Sequence, residues 1–488
     1  MEEKAIRGIP WTLLTYASNK LISVATTIVL ARLLVPEDFG IVALATVVVQ
    51  LFNAFGTFGL GGALVVGQDL DERGKGTILA LMMGLGVLVA LLVAALSPVA
   101  AALFDEPRLT GVLAALSTII FLGGFAWFYE TVMQRELEFR KRFVTVTVQS
   151  IVYVVLAIVL AALGAGVWSL VIGQIAATVA FGVALLALAP YRVRPAFDRS
   201  EARQALAAGR GFLLQGGLAF LQQNADYISV GRVLGAGQLG FYSMAYRIGE
   251  LPYYAIADPV ASVTFPSFAR MSHRGEEVTT PFLSTLRMVA LVTCPLGIFL
   301  SAAAEPFTAV LFGDKWLTMI GPLSVLGIWA AVRPVQATIG WLLNSIGEAG
   351  LMGVISALVL LPMLPGLVVA AELGGITAVA WVMLADMTLS LLVLGFVAER
   401  RAGVGVVSQW RAVRPVLVSC TVTWAAVSAV AEAMSSAAPG LALAACALTA
   451  LGTYAAVVSV AEPGLLRDAL VQVGRVLGRV PAPATNSR

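Results

Sequence analysis

The sequence predicts an all-α integral membrane protein of about fourteen transmembrane helices. They form two six-helix lobes related by a parallel internal repeat, plus two C-terminal helices. Three observations predict this. Of the 488 residues, 59% are hydrophobic and 12% charged, about half the roughly 25% usual in soluble domains. The apolar residues gather into runs of about 20, the length that crosses a ~30 Å hydrocarbon layer. Two short motifs recur six runs further on at nearly equal offsets. So few polar residues cannot cover a soluble surface, which excludes an ordinary soluble enzyme, a nucleic-acid binder and a disordered chain. A net charge of +3 is too small to indicate a polyanion partner.

Polar and turn-forming breaks place the spans near 10–33, 39–66, 77–97, 111–133, 143–163, 168–189, 210–234, 240–268, 280–302, 320–345, 351–371, 376–398, 415–436 and 441–461. The first run follows the short mixed-charge segment MEEKAIRGIP. It exceeds a signal-peptide core and lacks a cleavage site, so it is expected to remain as a span. Glycine-rich turns such as Gly164-Ala165-Gly166 and Glu372-Leu373-Gly374-Gly375 separate neighbours. The run Gly56 to Gly62 in the second span reads as a close-packing face. The eighth span carries Pro252, Pro259 and Pro266, which predict bends and freed carbonyls.

Basic residues set the orientation. With the N-terminus in the cytoplasm, 23 of the 31 Lys and Arg fall in cytoplasmic segments. Four fall on the other side, Arg32, Arg108, Arg232 and Lys315, and four lie within spans. Both termini are therefore expected in the cytoplasm, in a multi-pass membrane protein. The expected divisions are 1–190 (first lobe), 191–209 (cytoplasmic linker helix), 210–400 (second lobe), 401–461 (two additional spans) and 462–488 (cytoplasmic amphipathic tail). In the linker, Asp198 followed by Glu201 predicts a helix-opening cap. In the tail, Leu466, Leu470, Val473 and Leu477 share one face.

The repeat is read from two places. Arg32, Leu34 and Gly40 recur as Arg232, Leu234 and Gly240, an offset of 200. Pro98, Leu103-Phe104 and Leu109-Thr110 recur as Pro306, Leu311-Phe312 and Leu317-Thr318, an offset of 208. Six spans, an even number, separate equivalents, so the halves share one orientation about an axis along the membrane normal.

Charge within hydrocarbon costs about 2.5–3.5 kcal/mol per residue on insertion scales, which makes such residues functional candidates. Four cations lie inside spans: Lys20, Arg247, Arg287 and Arg333. Lys20 is about 15 Å into its helix at 1.5 Å per residue. Arg333 is equally central and precedes Pro334. With Asn19, Gln222, Gln223 and Asn224 they form the candidate set for an anionic, hydroxyl-rich ligand in a central cavity. Asp226 and Asp386 are candidates for ion coupling, with H+ or Na+ as the ion. The competing reading is internal pairing, Asp226 or Glu250 with Arg247. At the outer surface, Arg32 and Glu37-Asp38 are expected to pin the turn. Cys294, Cys420 and Cys446 lie in apolar runs and fit no metal or disulfide spacing. The single histidine, His273, excludes a histidine-based centre, and no Walker-type phosphate loop is present. No cofactor, no metal and no nucleic-acid partner is expected, and the chain is not expected to be an enzyme.

The stretch Leu30-Ala31-Arg32-Leu33-Leu34-Val35-Pro36-Glu37-Asp38-Phe39-Gly40 resembles the signature of bacterial polysaccharide transporters in the MATE-like flippase superfamily, the O-antigen and colanic-acid type lipopolysaccharide flippases among them. Gly231-Arg232-Val233-Leu234 and Gly240 to Arg247 fit that pattern in the second lobe, and the resemblance covers about residues 1–400. It implies movement of an undecaprenyl-diphosphate-linked oligosaccharide from the cytoplasmic to the outer leaflet for surface polysaccharide biosynthesis, by alternating access of two lobes around a cationic cavity. Membrane lipid, a polysaccharide polymerase and glycosyltransferases are the implied partners. The alternative is a cation-coupled multidrug exporter on the same scaffold, which calls for an acidic cavity.

Overall fold

The computed structural model describes residues 19–20, 22–56, 72–136 and 138–461. The Gly56–Gly62 face beyond residue 56, the start of the first span and the amphipathic tail lie outside the described residues. Within them the chain is helical, with no strand. The helices are α1 (Ile22–Leu33), α2 (Pro36–Gly56), α3 (Glu72–Phe104), α4 (Arg108–Arg135), α5 (Phe139–Ala162), α6 (Val167–Leu188), α7 (Arg199–Gly249), α8 (Asp258–His273), α9 (Thr279–Ala302), α10 (Ala304–Leu311), α11 (Ile320–Ser345), α12 (Ala349–Ala402), α13 (Val406–Ala433) and α14 (Pro439–Ala461). Nine of the described helices are long and apolar enough to cross a membrane. At 54 residues α12 is far longer than one crossing needs, and Gly375, with φ of +66°, breaks it into two limbs of span length. Gly235, with φ of +82°, breaks α7 in the same way. The expected glycine turns are therefore where the spans end.

The apolar side chains explain why these helices need lipid. Leu91, Leu361, Leu448 and Leu451 are each 65–72% exposed, and many more large aliphatics line the outer faces. Water would penalise such a surface, whereas hydrocarbon accepts it once the backbone is satisfied within helices.

Two compact units divide the chain. The first comprises residues 1–244 and 356–379. Its core is Ile78, Leu79, Met82, Phe128, Tyr129 and Phe181, supplied by α3, α4 and α6. Gly124 lets α4 approach the Met82 carbonyl of α3 so closely that a Cβ would sit 2.6 Å from it. This unit also contains a reciprocal crossing: a Cβ on Gly40 would overlap the Ala236 carbonyl oxygen, and one on Gly240 would overlap the Pro36 carbonyl oxygen. The two contacts interchange under the shift of 200 seen in the sequence, so the duplication is visible as a local twofold. At the same end, Arg108 pairs with Glu37 and, at 2.9 Å, with Glu106. The Asp38 carboxylate accepts the Val35 amide at 3.4 Å. Arg108 is the partner of Glu37 that the sequence did not indicate.

Asp198 opens α7 by accepting the amides of Ser200 and Glu201 at 2.8 and 3.1 Å, the expected cap. The helix then runs on through residue 210 to Gly235 without a second start.

The second unit comprises residues 245–355 and 380–488. In it, α9 and α11 cross through Gly297 and Gly327, each backbone lying where the other's Cβ would be. Ala303, Val427 and Cys446 pack α13 and α14 against the end of α9. The Tyr454 hydroxyl donates to the Leu291 carbonyl at 2.7 Å.

Candidate functional site

In the second unit a charged group survives at the middle of an apolar helix. Arg333 is about 20 Å from the start of α11 and about 18 Å from its end. The glycine crossing with α9 and the full burial of Trp329 fix that helix firmly. Glu250 arrives from the end of α7. Just beyond it, Pro252 caps a π-helical turn over Tyr253–Ala257, which leads through Asp258 and Pro259 into α8. The prolines cannot donate amides, and the wider turn is how the chain absorbs them. The expected bend of the eighth span is thus a π turn that presents two adjacent tyrosines.

These pieces meet at the guanidinium. Arg333 Nη1 donates to Glu250 Oε1. The guanidinium carbon lies 4.3 Å from the Tyr253 ring centre, 4.8 Å from that of Trp329 and 5.7 Å from that of Tyr254. Tyr246 closes the shell, its ring 5.1 Å from Trp329. The Arg333 and Glu250 side chains retain 19% and 21% exposure, so the pair is sheltered but reachable. A shielded ion pair gives up hydration for its attraction, and removing one partner costs about 3–5 kcal/mol. Aromatic faces add about 0.5–2 kcal/mol to a held cation. A guanidinium has five N–H groups in a planar fork, so one carboxylate oxygen leaves donors suited to phosphate.

The first unit holds the other polar group. Asp226 is fully buried and accepts the Tyr242 hydroxyl at 2.8 Å and the Tyr227 amide at 2.9 Å. Tyr227 and Tyr242 meet edge to face, 5.9 Å between ring centres. Tyr242→Phe would strip a buried carboxylate of a donor. The expected loss is about 1–3 kcal/mol of stability, read as a lowered Tm in detergent.

The remaining candidates are placed as follows. Asn19 accepts the Ser150 hydroxyl at 2.5 Å, with Lys20 half-buried beside it in the chain. Gln222 donates to the Ser356 carbonyl at 3.3 Å. Asn224 donates to the Phe220 carbonyl of its own helix at 3.0 Å. Gln223 and Arg247 are exposed, and Arg287 is half-buried. Asp386 is half-buried and makes no hydrogen bond or ion pair with a described residue. One turn further on, Ser390 accepts the Gln336 amide at 3.0 Å. The pairing expected for Glu250 is corrected: its partner is Arg333, not Arg247, because α7 ends at Gly249 and Glu250, one residue past that end, reaches α11. Sequence reasoning missed the aromatic shell. Its signals were Trp329, four residues before Arg333 and so on the same helix face, and the adjacent tyrosines following Pro252.

Apolar helices in two units, with buried polar groups held at mid-helix, define a multi-pass helical membrane protein of transporter architecture. Among solved structures it is similar to a lipid II flippase in an inward closed conformation, with a TM-score of 0.77 and 13% identity over 94% of this chain and all of that one. It is also similar to an inward-facing multidrug resistance MATE family transporter, with a TM-score of 0.64 and 16% identity over 80% and 98% of the two chains. Residues 29–321 match the family described as polysaccharide biosynthesis protein, and the chain belongs to that family. A teichuronic acid biosynthesis protein of Bacillus subtilis is 30% identical over 66% of this chain and 68% of its own. A succinoglycan biosynthesis transport protein of Rhizobium meliloti is 27% identical over 71% and 70%. A lipopolysaccharide biosynthesis protein of Escherichia coli is 23% identical over 77% of each.

Proposed function

We propose that this protein is a flippase that moves an undecaprenyl-diphosphate-linked oligosaccharide from the cytoplasmic to the outer leaflet by alternating access. Its product serves surface polysaccharide biosynthesis. One observation carries the reading: in a chain of the polysaccharide biosynthesis family, a guanidinium with spare donors is kept at mid-span inside three aromatic rings. The guanidinium binds diphosphate oxygens and the aromatic faces stack on sugar rings. Lys20, Arg247 and Arg287 supply further positive charge along the path, and Asn19, Gln222 and Gln223 offer hydrogen bonds to sugar hydroxyls. Asp226 and Asp386 are the acids for coupling to H+ or Na+. Both termini face the cytoplasm of the inner membrane, where glycosyltransferases build the substrate, and a polymerase receives it outside.

The likeness to multidrug transporters is one of fold, and Glu250, the acid beside Arg333, is already paired with that cation. The test is genetic. Deleting the gene should abolish surface polysaccharide while the lipid-linked oligosaccharide accumulates in the cell. Unchanged polysaccharide, or loss without accumulation, would count against the proposal.

A further inference from the structure

The chain between α6 and α7, residues 189–198, is irregular but held at several points. The Tyr129 hydroxyl accepts the Val193 amide at 3.4 Å, and the Thr77 hydroxyl accepts the Asp198 amide at 3.0 Å. Lys75 lies 5.0 Å above the Tyr191 ring. The Arg194 carbonyl fits against Gly76, where a Cβ would stand only 2.6 Å away. All these anchors belong to the first unit.

The anchors also fix the depth of this strap. Its partners on α3 are residues 75–77, where the polar start Glu72-Arg73-Gly74-Lys75-Gly76-Thr77 gives way to the apolar run from Ile78. On the other side the strap leaves α6 directly after the apolar residue Leu188. It therefore lies where hydrocarbon meets headgroups.

The strap displays an unusual set of side chains there. Phe197 is 71% exposed, although it lies between two pinned residues. Arg192, Arg194 and Arg199 are exposed, and none makes an ion pair with a described residue. The neighbouring carboxylate of Asp198 is already occupied by the amides of Ser200 and Glu201. An exposed aromatic among unpaired arginines at headgroup depth has the chemistry of an anionic-lipid contact.

We propose that residues 189–199 form a membrane-interface strap that binds anionic phospholipid. Phe197 enters the leaflet, and Arg192, Arg194 and Arg199 take headgroup phosphates. The strap thereby ties the linker between the two repeats to the charged leaflet. This inference does not depend on the transported substrate.

The test places a nitrobenzoxadiazole dye on a Phe197→Cys variant of the full chain, reconstituted in nanodiscs of phosphatidylglycerol or of phosphatidylcholine. The three native cysteines are buried, so labelling is selective. The expected result is blue-shifted emission in phosphatidylglycerol that moves towards the water value in phosphatidylcholine, and loss of that lipid dependence on adding R192Q, R194Q and R199Q. All of these positions are exposed, so folding is not at stake. Equal emission in both lipids would overturn the role of the arginines. Water-like emission in both would overturn the strap as a membrane contact and leave it free for a soluble partner.

Discussion

Arg333→Ala is expected to reduce surface polysaccharide to the level of a gene deletion. It should also destabilise the protein, because Glu250 keeps a sheltered charge with no partner, at about 3–5 kcal/mol. The two effects separate in the double variant Arg333→Ala/Glu250→Ala. Removing both charges recovers most of the stability, since neither is left uncompensated, but restores no transport. Arg333→Lys keeps the charge and loses the fork and the stacking, so it should fold and transport poorly. Tm in detergent and the amount of polysaccharide on complemented cells read the two properties independently. Normal export by the double variant would show that the pair only ties α11 to the end of α7.

The second large effect is steric. Gly40→Ala and Gly240→Ala each place a methyl group where a backbone carbonyl already lies, Ala236 in one case and Pro36 in the other. Overpacking at a helix crossing costs on the order of 3 kcal/mol when the backbone itself must retreat. The double variant should cost less than the sum of the singles, because the first methyl already opens the crossing the second would meet. Thermal unfolding of the purified protein checks both statements. Additive losses, or wild-type stability in either single variant, would remove the reciprocal contact as a fixed part of the fold.

Much of the fold was legible because lipid imposes a simple rule on composition. Apolar runs of about 20 residues must be helices there, and breaks such as Gly235 and Gly375 must end them. The duplication was legible at Gly40 and Gly240 because a close crossing tolerates no side chain at either position. The prolines announced that the eighth span would bend, but not that Glu250 would pair with Arg333. That pairing joins residues 83 positions apart, and nothing local specifies it. The aromatic cage was hidden for a related reason. In an apolar chain a Tyr or Trp resembles any other core residue until a cation is found against its face. Nor does the sequence indicate that the Asn224 amide donates to the Phe220 carbonyl of its own helix.

The most direct measurement is translocation by the purified protein in proteoliposomes. A fluorescent undecaprenyl-diphosphate oligosaccharide is incorporated in both leaflets, and a membrane-impermeant quencher reports how much reaches the outer one. Wild-type protein is predicted to bring inner-leaflet substrate to the quencher, and Arg333→Ala/Glu250→Ala to leave it behind. Wild-type vesicles that quench no faster than protein-free ones, across imposed H+ and Na+ gradients, would contradict the assignment of this chain as a lipid-linked saccharide flippase.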